Sequence, residues 1–313
     1  MESASNTLKQ HDHPLPRLTT MQGRLLRPTA DKFQCFPRDG WEEEFASASA
    51  VPLDGLEWIY DLHGLNANPL ETESGLARMK ELSARHHVTI HSLCADYFMD
   101  LPLLRVTDGQ HRERLDRLHW LVRRCERAGI QRVVLPFVDS SRIETLAETD
   151  LVIQCLRAVL PTAEVCGIEL HLETALAPTP FGALLDRLNH PLIKVNYDSG
   201  NSASLGYHPR EEFQAYGSRL GSVHIKDRLR DGATVPLGTG STDFKALREC
   251  LSRRAYNGDF VLQVARGQPG DEVNWVRQHR RFVLDWWGDA VAKTELVSIS
   301  QEKKGWTGSK IGL

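Results

Sequence analysis

The sequence predicts a single α/β domain with the (β/α)8 architecture of a TIM barrel, because strand-like and helix-like segments alternate along it. Short segments rich in valine, isoleucine, leucine and aromatic residues alternate with longer amphipathic segments. The centres of eight short segments lie about 34 residues apart, which suits a strand with its crossover helix. The competing fold is an open doubly wound sheet, but the first turn contains one glycine and no G-x-G-x-x-G motif.

Eight segments are the predicted strands of this barrel. In chain order they are TMQGRL, LDGLEWIYD, VTIHSLCADYF, QRVVLPFVD, IELHLETA, IKVNYDSGN, GSVHIKDR and DFVLQVAR. Five amphipathic segments are predicted helices, each ending at or near a glycine or a basic residue: PLETESGLARMKELSARHH, HRERLDRLHWLVRRCERAG, ETDLVIQCLRAVLPTAEVCG, REEFQAYGSRLG and DFKALRECLSRRAYNG. Pro209 and the two acidic residues after it mark a helix start.

The chain is expected to have three parts. Residues 1–17 are polar and show no strand or helix period, so we expect a flexible leader. The barrel is expected over residues 18–288. The mostly polar residues 289–313 are expected to extend beyond the last barrel helix.

Composition argues against several classes of partner. The 313 residues carry 38 basic and 41 acidic side chains, and the net charge of −3 offers no positive field for nucleic acid or an anionic membrane. No segment approaches the roughly 18 apolar residues of a membrane span, and the first residues lack the apolar centre of a secretory signal. The six cysteines form no C-x-x-C pair. We therefore expect a cytoplasmic protein with free thiols and a small-molecule substrate.

Polar residues lie at the carboxyl ends of the four last predicted strands. These ends face a common mouth in a barrel, so their side chains can meet although they are distant in sequence. They are Glu173 in HLETA, Asp198 in NYDSGN, His224 in VHIKD and Gln263 in VLQVAR. Carboxylates and a neutral imidazole suit a divalent cation such as manganese, magnesium, zinc or cobalt. Each residue alone is more commonly a hydrogen-bonded structural residue.

Several segments resemble the sugar phosphate isomerase/epimerase family of xylose-isomerase-like barrels. They are MQGRL, HLETA, NYDSGN, VHIKDR and PLGTGSTDFKALRECLSRRAYNGDFVLQ, and the resemblance covers roughly residues 19–287. It implies a metal ion held by Glu173, Asp198, His224 and a residue of strand eight. That residue is glutamate in the better-known members and Gln263 here. An amide oxygen can bind a cation but carries no charge and accepts no proton near neutral pH, which predicts weaker metal binding.

The resemblance implies proton abstraction beside the carbonyl group of a sugar or sugar phosphate. Ketose 3-epimerases of this family use two glutamates, and Gln263 cannot replace the second. We therefore expect an isomerase, with an epimerase as second choice, in which Glu173 is the base and a metal stabilises the enediolate. A lyase or dehydratase acting through the same enolate is one alternative. A non-catalytic sugar-binding barrel that has lost a ligand is another. The family's apurinic-site endonucleases use more histidines than this chain offers.

A second acid or base could come from the third strand, where His91 is favoured over Cys94 and Asp96; a satisfied core histidine is the competing interpretation. Lys226 shares a strand face with His224 and is expected to stabilise the enediolate. The predicted substrate-binding residues lie near strand ends, where arginines can grip a phosphate, and they are Glu57, Arg24, Asp96, Asp227, Arg228 and Arg266.

The LGTG turn at residues 237–240 could cradle an anion at a helix start, but a tight loop before a capped helix is favoured. Because barrels of this kind often pair through their helical faces, a homodimer is an expected assembly.

Overall fold

The computed structural model describes residues 16–29 and 32–302, with side chains described as far as residue 288. Eight parallel strands close into a barrel in chain order, and the last pairs with the first, as predicted. The barrel strands are β1 (Arg17–Met21), β2 (Gly55–Ile59), β3 (Thr89–Cys94), β4 (Arg132–Phe137), β5 (Glu169–Thr174), β6 (Ile193–Asp198), β7 (Leu220–Ile225) and β10 (Asp259–Leu262). The short strands β8 (Asp227–Arg228) and β9 (Thr234–Val235) form an antiparallel ribbon after β7.

Helices follow the strands, and the longer ones cover the outside of the barrel. They are α1 (Glu43–Ala50), α2 (Glu73–His86), α3 (Tyr97–Asp100), α4 (Asp108–Ala128), α5 (Leu146–Cys166), α6 (Pro178–Leu188), α7 (Ser199–Leu205), α8 (Pro209–Tyr216), α9 (Phe244–Arg253) and α10 (Glu272–Glu302). The five helical segments predicted from sequence correspond to α2, α4, α5, α8 and α9. Helix α8 begins at Pro209, as the sequence signal predicts.

The two longest of these predicted helices show why their sequences fold this way. Thr107 and Thr145 form capping boxes at the starts of α4 and α5, in which each threonine pairs with the residue three positions later. Gly129 and Gly167 end the same helices in the left-handed conformation, at φ 83° and 66°. Strands β2, β4 and β10 are buried at every position, as expected for parallel strands covered by helices.

An ion-pair cluster lies at the amino ends of the strands. Asp259 at the start of β10 accepts from Arg17 Nε at 2.7 Å and also pairs with Arg132 at the start of β4. Because β4 and β10 lie on opposite sides of the barrel, this cluster ties the closed end together. The candidate functional site lies at the opposite end of the barrel, where the strands end.

The expected boundaries of the leader and of the carboxyl-terminal extension can be compared with the described residues. Helix α10 runs through residue 288 without interruption. Residues 1–15 of the expected leader and residues 303–313 of the expected extension lie outside the described residues. Among the described helices, none combines the length and apolar character that crossing a bilayer requires. All six cysteines are free thiols.

Candidate metal centre and cavity

Three of the predicted metal-binding residues meet at the carboxyl ends of adjacent strands. Glu173 is the fifth residue of β5, Asp198 is the last residue of β6, and His224 is the fifth residue of β7. The register of β6 and β7 places Asp198 beside His224. One possible ligand atom from each of the three residues lies within 4.8 Å of the others, and all three side chains are buried. Because all three lie near the carboxyl ends of adjacent strands, residues that are up to 51 positions apart in sequence come together.

Both carboxylate oxygens of Glu173 accept hydrogen bonds from amides. Asn196 Nδ2 donates to Oε2 and Asn201 Nδ2 donates to Oε1, each at 2.8 Å. Burial acts to raise the pKa of Glu173, but the neighbouring His224 and Lys226 outweigh it and the net shift is downward. Glu173 is therefore an oriented, ionised carboxylate near neutral pH.

The imidazole of His224 lies between two carboxylates. Its Nε2 is 2.6 Å from Glu57 Oε1, and its Nδ1 is 3.3 Å from Glu173 Oε2. Burial acts to lower the pKa of His224, but the charges of Glu57 and Glu173 outweigh it and raise the pKa to about 10. Metal-binding histidines commonly donate their other N–H to a carboxylate, which fixes the ring. Glu57 is therefore placed to orient His224 rather than to contact substrate.

Asp198 is held by the start of α7 and by a lysine. Its Oδ1 accepts from the backbone N–H groups of Gly200 at 2.9 Å and Asn201 at 2.8 Å. Its Oδ2 lies 3.3 Å from Lys226 Nζ. Burial raises the pKa of Asp198, opposed by Lys226 and assisted by Glu173. The predicted lysine is thus brought next to the cluster.

Gln263, the fourth predicted ligand, directly follows β10. Its Nε2 donates to Gln34 Oε1 at 3.0 Å. Its Oε1 is buried and has no hydrogen-bond partner among the described residues. Buried polar atoms are rarely left unpaired, so this oxygen is available to a ligand. Carboxylate oxygens, an imidazole nitrogen and an amide oxygen fit a divalent cation.

A polar cavity of about 410 Å³ opens above this cluster, and Glu173, Lys226 and Gln263 line it. This volume falls in the range of small-molecule sites. Besides Glu173, the acidic lining residues follow strands β2, β3 and β4, and they are Asp61, Asp96, Asp100 and Asp139. The basic lining residues are Lys32 in the segment after β1, Lys226 directly after β7 and Arg228 in the ribbon.

Two of the predicted substrate-binding residues reach this cavity. Asp96 accepts from Gln34 Nε2 at 2.7 Å and from Cys94 Sγ at 3.0 Å. Burial raises the pKa of Asp96 to about 6. Arg228 donates to Asn201 Oδ1 at 3.0 Å and to the carbonyl oxygen of Gly232. Both side chains keep part of their surface on the cavity.

Two predicted arginines support the cavity wall instead. Arg24 is buried and donates to backbone oxygens of Val264 and Phe33 and to Gln34 Oε1. Burial, assisted by the neighbouring Arg266, lowers the pKa of Arg24 to about 9. Arg266 likewise donates to backbone oxygens, chiefly in the segment after β1. The structure therefore places both arginines behind the segment that carries Phe33 and Gln34, without bringing them to the cavity lining.

Asp227 is a loop anchor rather than a cavity residue. Its carboxylate accepts from the backbone N–H groups of Gly238 at 2.9 Å, Gly240 at 2.8 Å and Thr242 at 3.0 Å. The anion held by the LGTG turn is therefore Asp227 itself. This arrangement agrees with the favoured interpretation of the turn as a tight loop before a capped helix.

The structure does not bring His91 to the cavity. His91 is the third residue of β3, and the charges that act on it are those of Arg17, Asp259 and Arg132 at the amino ends of the strands. Burial lowers its pKa. His91 lies three positions before Cys94, the last residue of the strand. It therefore belongs to a layer of the barrel nearer the amino ends of the strands, and its side chain does not reach the mouth.

Three residues that the sequence reasoning missed contact the site. Asn196 shares a strand face with Asp198, so the alternation within NYDSGN could have revealed it. Asn201 follows the same motif. Gln34 lies in a segment without strand or helix period, and no signal in the sequence connects it with Gln263.

Comparisons with known proteins agree with this architecture. The model of the xylose isomerase-like TIM barrel family matches residues 45–286. An L-ribulose-5-phosphate 3-epimerase UlaE of Salmonella paratyphi A is 22% identical over 285 residues, which cover 83% of this chain and 93% of that protein. A 3-oxo-isoapionate decarboxylase of Pectobacterium atrosepticum is 30% identical over 125 residues, which cover 36% of this chain and 46% of that protein. The chain thus spans less than half the length of that decarboxylase.

Solved structures share the fold at low sequence identity. An L-ribulose 3-epimerase has a TM-score of 0.72 and 16% identity, with 91% of this chain and 98% of that chain covered. The IOLI protein with a binding zinc atom has a TM-score of 0.68 and 16% identity, with 87% and 99% covered. The 3-keto-D-glucoside 4-epimerase YcjR from E. coli has a TM-score of 0.65 and 17% identity, with 86% and 99% covered. Together with the family match, these likenesses confirm the resemblance found in the sequence, and the chain belongs to the xylose isomerase-like TIM barrel family.

Proposed function

We propose that the protein is a metal-dependent isomerase of a sugar or sugar phosphate, in which Glu173 removes a proton beside a carbonyl group. The observation that carries this proposal is the convergence of Glu173, Asp198 and His224 beside a polar cavity that Glu173 lines. The relatives named as L-ribulose-5-phosphate 3-epimerase and L-ribulose 3-epimerase support a carbohydrate substrate.

Glu173, Asp198, His224 and Gln263 would hold the cation, which we expect to be manganese, magnesium, zinc or cobalt. When bound, it supplies positive charge that stabilises negative charge developing on the substrate's oxygens. Glu57 fixes the ring of His224, and Lys226 fixes one oxygen of Asp198. These contacts keep the donor atoms in place before any substrate enters.

The chemical step follows from the position of Glu173. One carboxylate oxygen takes the proton from the carbon beside the carbonyl group, the C–H electron pair forms a C=C bond, and the carbonyl oxygen becomes an enediolate oxygen. Lys226 Nζ lines the same cavity and can donate to that oxygen. For an aldose-ketose isomerisation, the carboxyl proton of Glu173 exchanges with solvent and is returned to the former carbonyl carbon. The hydroxyl group on the carbon that lost its proton passes its own proton to the enediolate oxygen and becomes the new carbonyl group.

An epimerisation would need a second proton donor on the other face of the substrate. The amide of Gln263 has no proton to give near neutral pH. Asp96 is the remaining candidate from the third strand, because it lines the cavity and its raised pKa of about 6 keeps a fraction protonated near neutral pH. This requirement makes isomerisation the first choice.

A lyase is the second candidate function. The decarboxylase relative and the presence of Gln263 both favour a reaction that needs only one protonation of an enolate. Loss of carbon dioxide breaks a C–C bond and leaves its electron pair in the enolate, which is then protonated. Loss of a β leaving group uses the electron pair of the enolate to form a C=C bond, and the leaving group departs with the pair of the broken bond. Both reactions change the substrate's mass. A mass change therefore distinguishes this function from isomerisation.

The test is solvent deuterium exchange. The protein is loaded with Mn²⁺ and incubated in deuterated water with free and phosphorylated aldoses and ketoses. Mass spectrometry then measures the mass of each sugar and the deuterium it has gained. We expect deuterium beside the carbonyl group with the wild type and none with Glu173→Gln. The matched control is Glu44→Gln, since Glu44 is a buried carboxyl that accepts only from the backbone of Gly23 and Leu25 among the described residues.

Two results would contradict the proposal. Unchanged deuterium exchange in the Glu173→Gln variant would show that Glu173 is not the base. A protein that retains less than about a tenth of an equivalent of divalent cation after mild purification, and whose Tm does not rise with Mn²⁺ or Zn²⁺, would favour a non-catalytic sugar-binding barrel.

A further inference from the structure

The side-chain amide of Gln34 lies between an arginine, a carboxylate and Gln263. Arg24 Nη2 donates to Gln34 Oε1 at 3.0 Å, and Gln34 Nε2 donates to Asp96 Oδ2 at 2.7 Å. Gln263 Nε2 donates to the same Oε1 at 3.0 Å. Gln34 thereby connects the segment after β1 with the ends of β3 and β10.

The chemistry of its neighbours fixes which way the amide of Gln34 points. A guanidinium only donates hydrogen bonds and an ionised carboxylate only accepts them. Arg24 therefore requires the oxygen of Gln34, and Asp96 requires its nitrogen. Arg24 is itself fixed by backbone oxygens of Val264 and Phe33. An inverted amide would face Arg24 with N–H groups and Asp96 with an oxygen.

The fixed orientation of Gln34 determines that of Gln263. Gln34 offers only lone pairs towards Gln263, so Gln263 must present its NH2 group there. Its oxygen then points elsewhere, buried, with the side chain 6% exposed and no hydrogen-bond partner for Oε1 within residues 16–29 and 32–288. That oxygen belongs to a side chain that lines the cavity beside Glu173.

We propose that Gln34 is a positioning residue that selects an amide at position 263 and keeps the oxygen of that amide free as a neutral ligand atom for a divalent cation. A carboxylate at position 263 would set an oxygen against Gln34 Oε1 at the distance where the amide now donates. Gln263 is therefore matched to its neighbour, and it is not the remnant of a lost glutamate. The ligand role rests on the proposed function, whereas the orienting role does not.

A double-mutant cycle in the metal-free protein tests the orienting role. Gln263→Glu, Gln34→Met and the double variant are melted at pH 8.5 in excess chelator, so that a new carboxyl is ionised. We expect Gln263→Glu to lower Tm by roughly 3–6 °C in the wild-type background and by less than half of that in the Gln34→Met background. Equal shifts in the two backgrounds would overturn the selection of an amide by Gln34.

The matched control for this cycle replaces another buried glutamine. Gln22 accepts from the backbone N–H of Ile59 at 2.9 Å and makes no hydrogen bond to Gln263. The shift caused by Gln263→Glu should therefore be the same with and without Gln22→Met. Equal coupling to Gln22 and Gln34 would count against the proposal, because it would show a general response of the core.

Titration with Mn²⁺ alone tests the ligand role. We expect Gln34→Met to weaken Mn²⁺ binding by about 10-fold, as for other residues that orient a ligand. Gln263→Glu should strengthen Mn²⁺ binding at least about 10-fold more in the Gln34→Met background than in the wild type. Unchanged Mn²⁺ affinity in Gln34→Met would overturn the ligand role. Failure of the wild type to bind Mn²⁺ would overturn it together with the proposed function, while the melting cycle separately decides whether Gln34 orients the amide.

Discussion

Glu57 Oε1 and His224 Nε2 lie 2.6 Å apart between strands β2 and β7, and both side chains are fully buried. The sequence predicts Glu57 as a substrate-binding residue, but the structure gives it the imidazole as its partner. The other ring nitrogen of His224, Nδ1, lies 3.3 Å from Glu173 Oε2. The pair with Glu57 therefore determines which ring nitrogen faces Glu173.

Replacing Glu57 by glutamine should weaken Mn²⁺ binding by about 10-fold to 100-fold, because the amide removes the negative charge that holds the ring. Calorimetric titration with Mn²⁺ measures the affinity, and far-UV circular dichroism checks the fold. Glu44→Gln serves as the control for loss of a buried carboxyl and should leave the affinity unchanged. An unchanged affinity in Glu57→Gln would show that the ring is held by other contacts.

Asn201 should control the rate of proton abstraction, because its amide donates to Glu173 Oε1 and its oxygen accepts from Arg228. Asn201→Ala should slow deuterium exchange by about 10-fold or more while Mn²⁺ binding changes less. The control on the same helix is Ser202→Ala, whose hydroxyl donates to Glu212 instead. Full exchange activity in Asn201→Ala would contradict the orienting role.

Much of the barrel could be predicted from the sequence, because buried parallel strands give a strong local pattern. All eight strands appear where the apolar segments lie. Helix α6 was missed, since Pro178, Pro180 and Gly182 interrupt its pattern although its inner face is buried. Helix α1 was missed because its small residues, EEFASASA, give a weak period.

The site was predictable only where strand position decides it. Glu173, Asp198 and His224 lie at strand ends, so topology brings them together. Gln34 meets Gln263 across 229 residues through a segment without period, and only the folded chain shows that contact. Strand position also gives only an approximate depth in the barrel, so the sequence alone does not separate His91 from Asp96.

Asp227 should matter for stability and not for metal binding. Asp227→Ala leaves the backbone N–H groups of Gly238, Gly240 and Thr242 without their acceptor, which should lower Tm by roughly 5–10 °C. Asp227→Asn keeps one acceptor oxygen and should fall between the wild type and the alanine variant. Differential scanning calorimetry measures Tm. If Asp227→Ala had the wild-type Tm but bound substrate more weakly, Asp227 would be a substrate-binding residue, as the sequence predicts.

Glu44 should make stability depend on pH. Burial raises its pKa to about 7 from an ordinary value of 4.5, so the folded protein binds more protons than the unfolded chain between these pH values. Stability therefore falls as pH rises through this window, with a slope of at most about 1.4 kcal/mol per pH unit from this group. Urea unfolding of the wild type and of Glu44→Gln at pH 5 and pH 8 measures the difference. The wild type should lose stability relative to the variant at pH 8, and a constant difference would contradict the raised pKa.

The hydrogen bond between Gln34 and Gln263 has a consequence for the evolution of this barrel. Positions 34 and 263 contribute to different loops but cannot change independently. An acid at position 263 is compatible only with a hydrogen-bond donor or an apolar side chain at position 34. Homologous sequences should therefore show paired changes at these positions, and a designer who wishes to restore the acid would need to alter both at once.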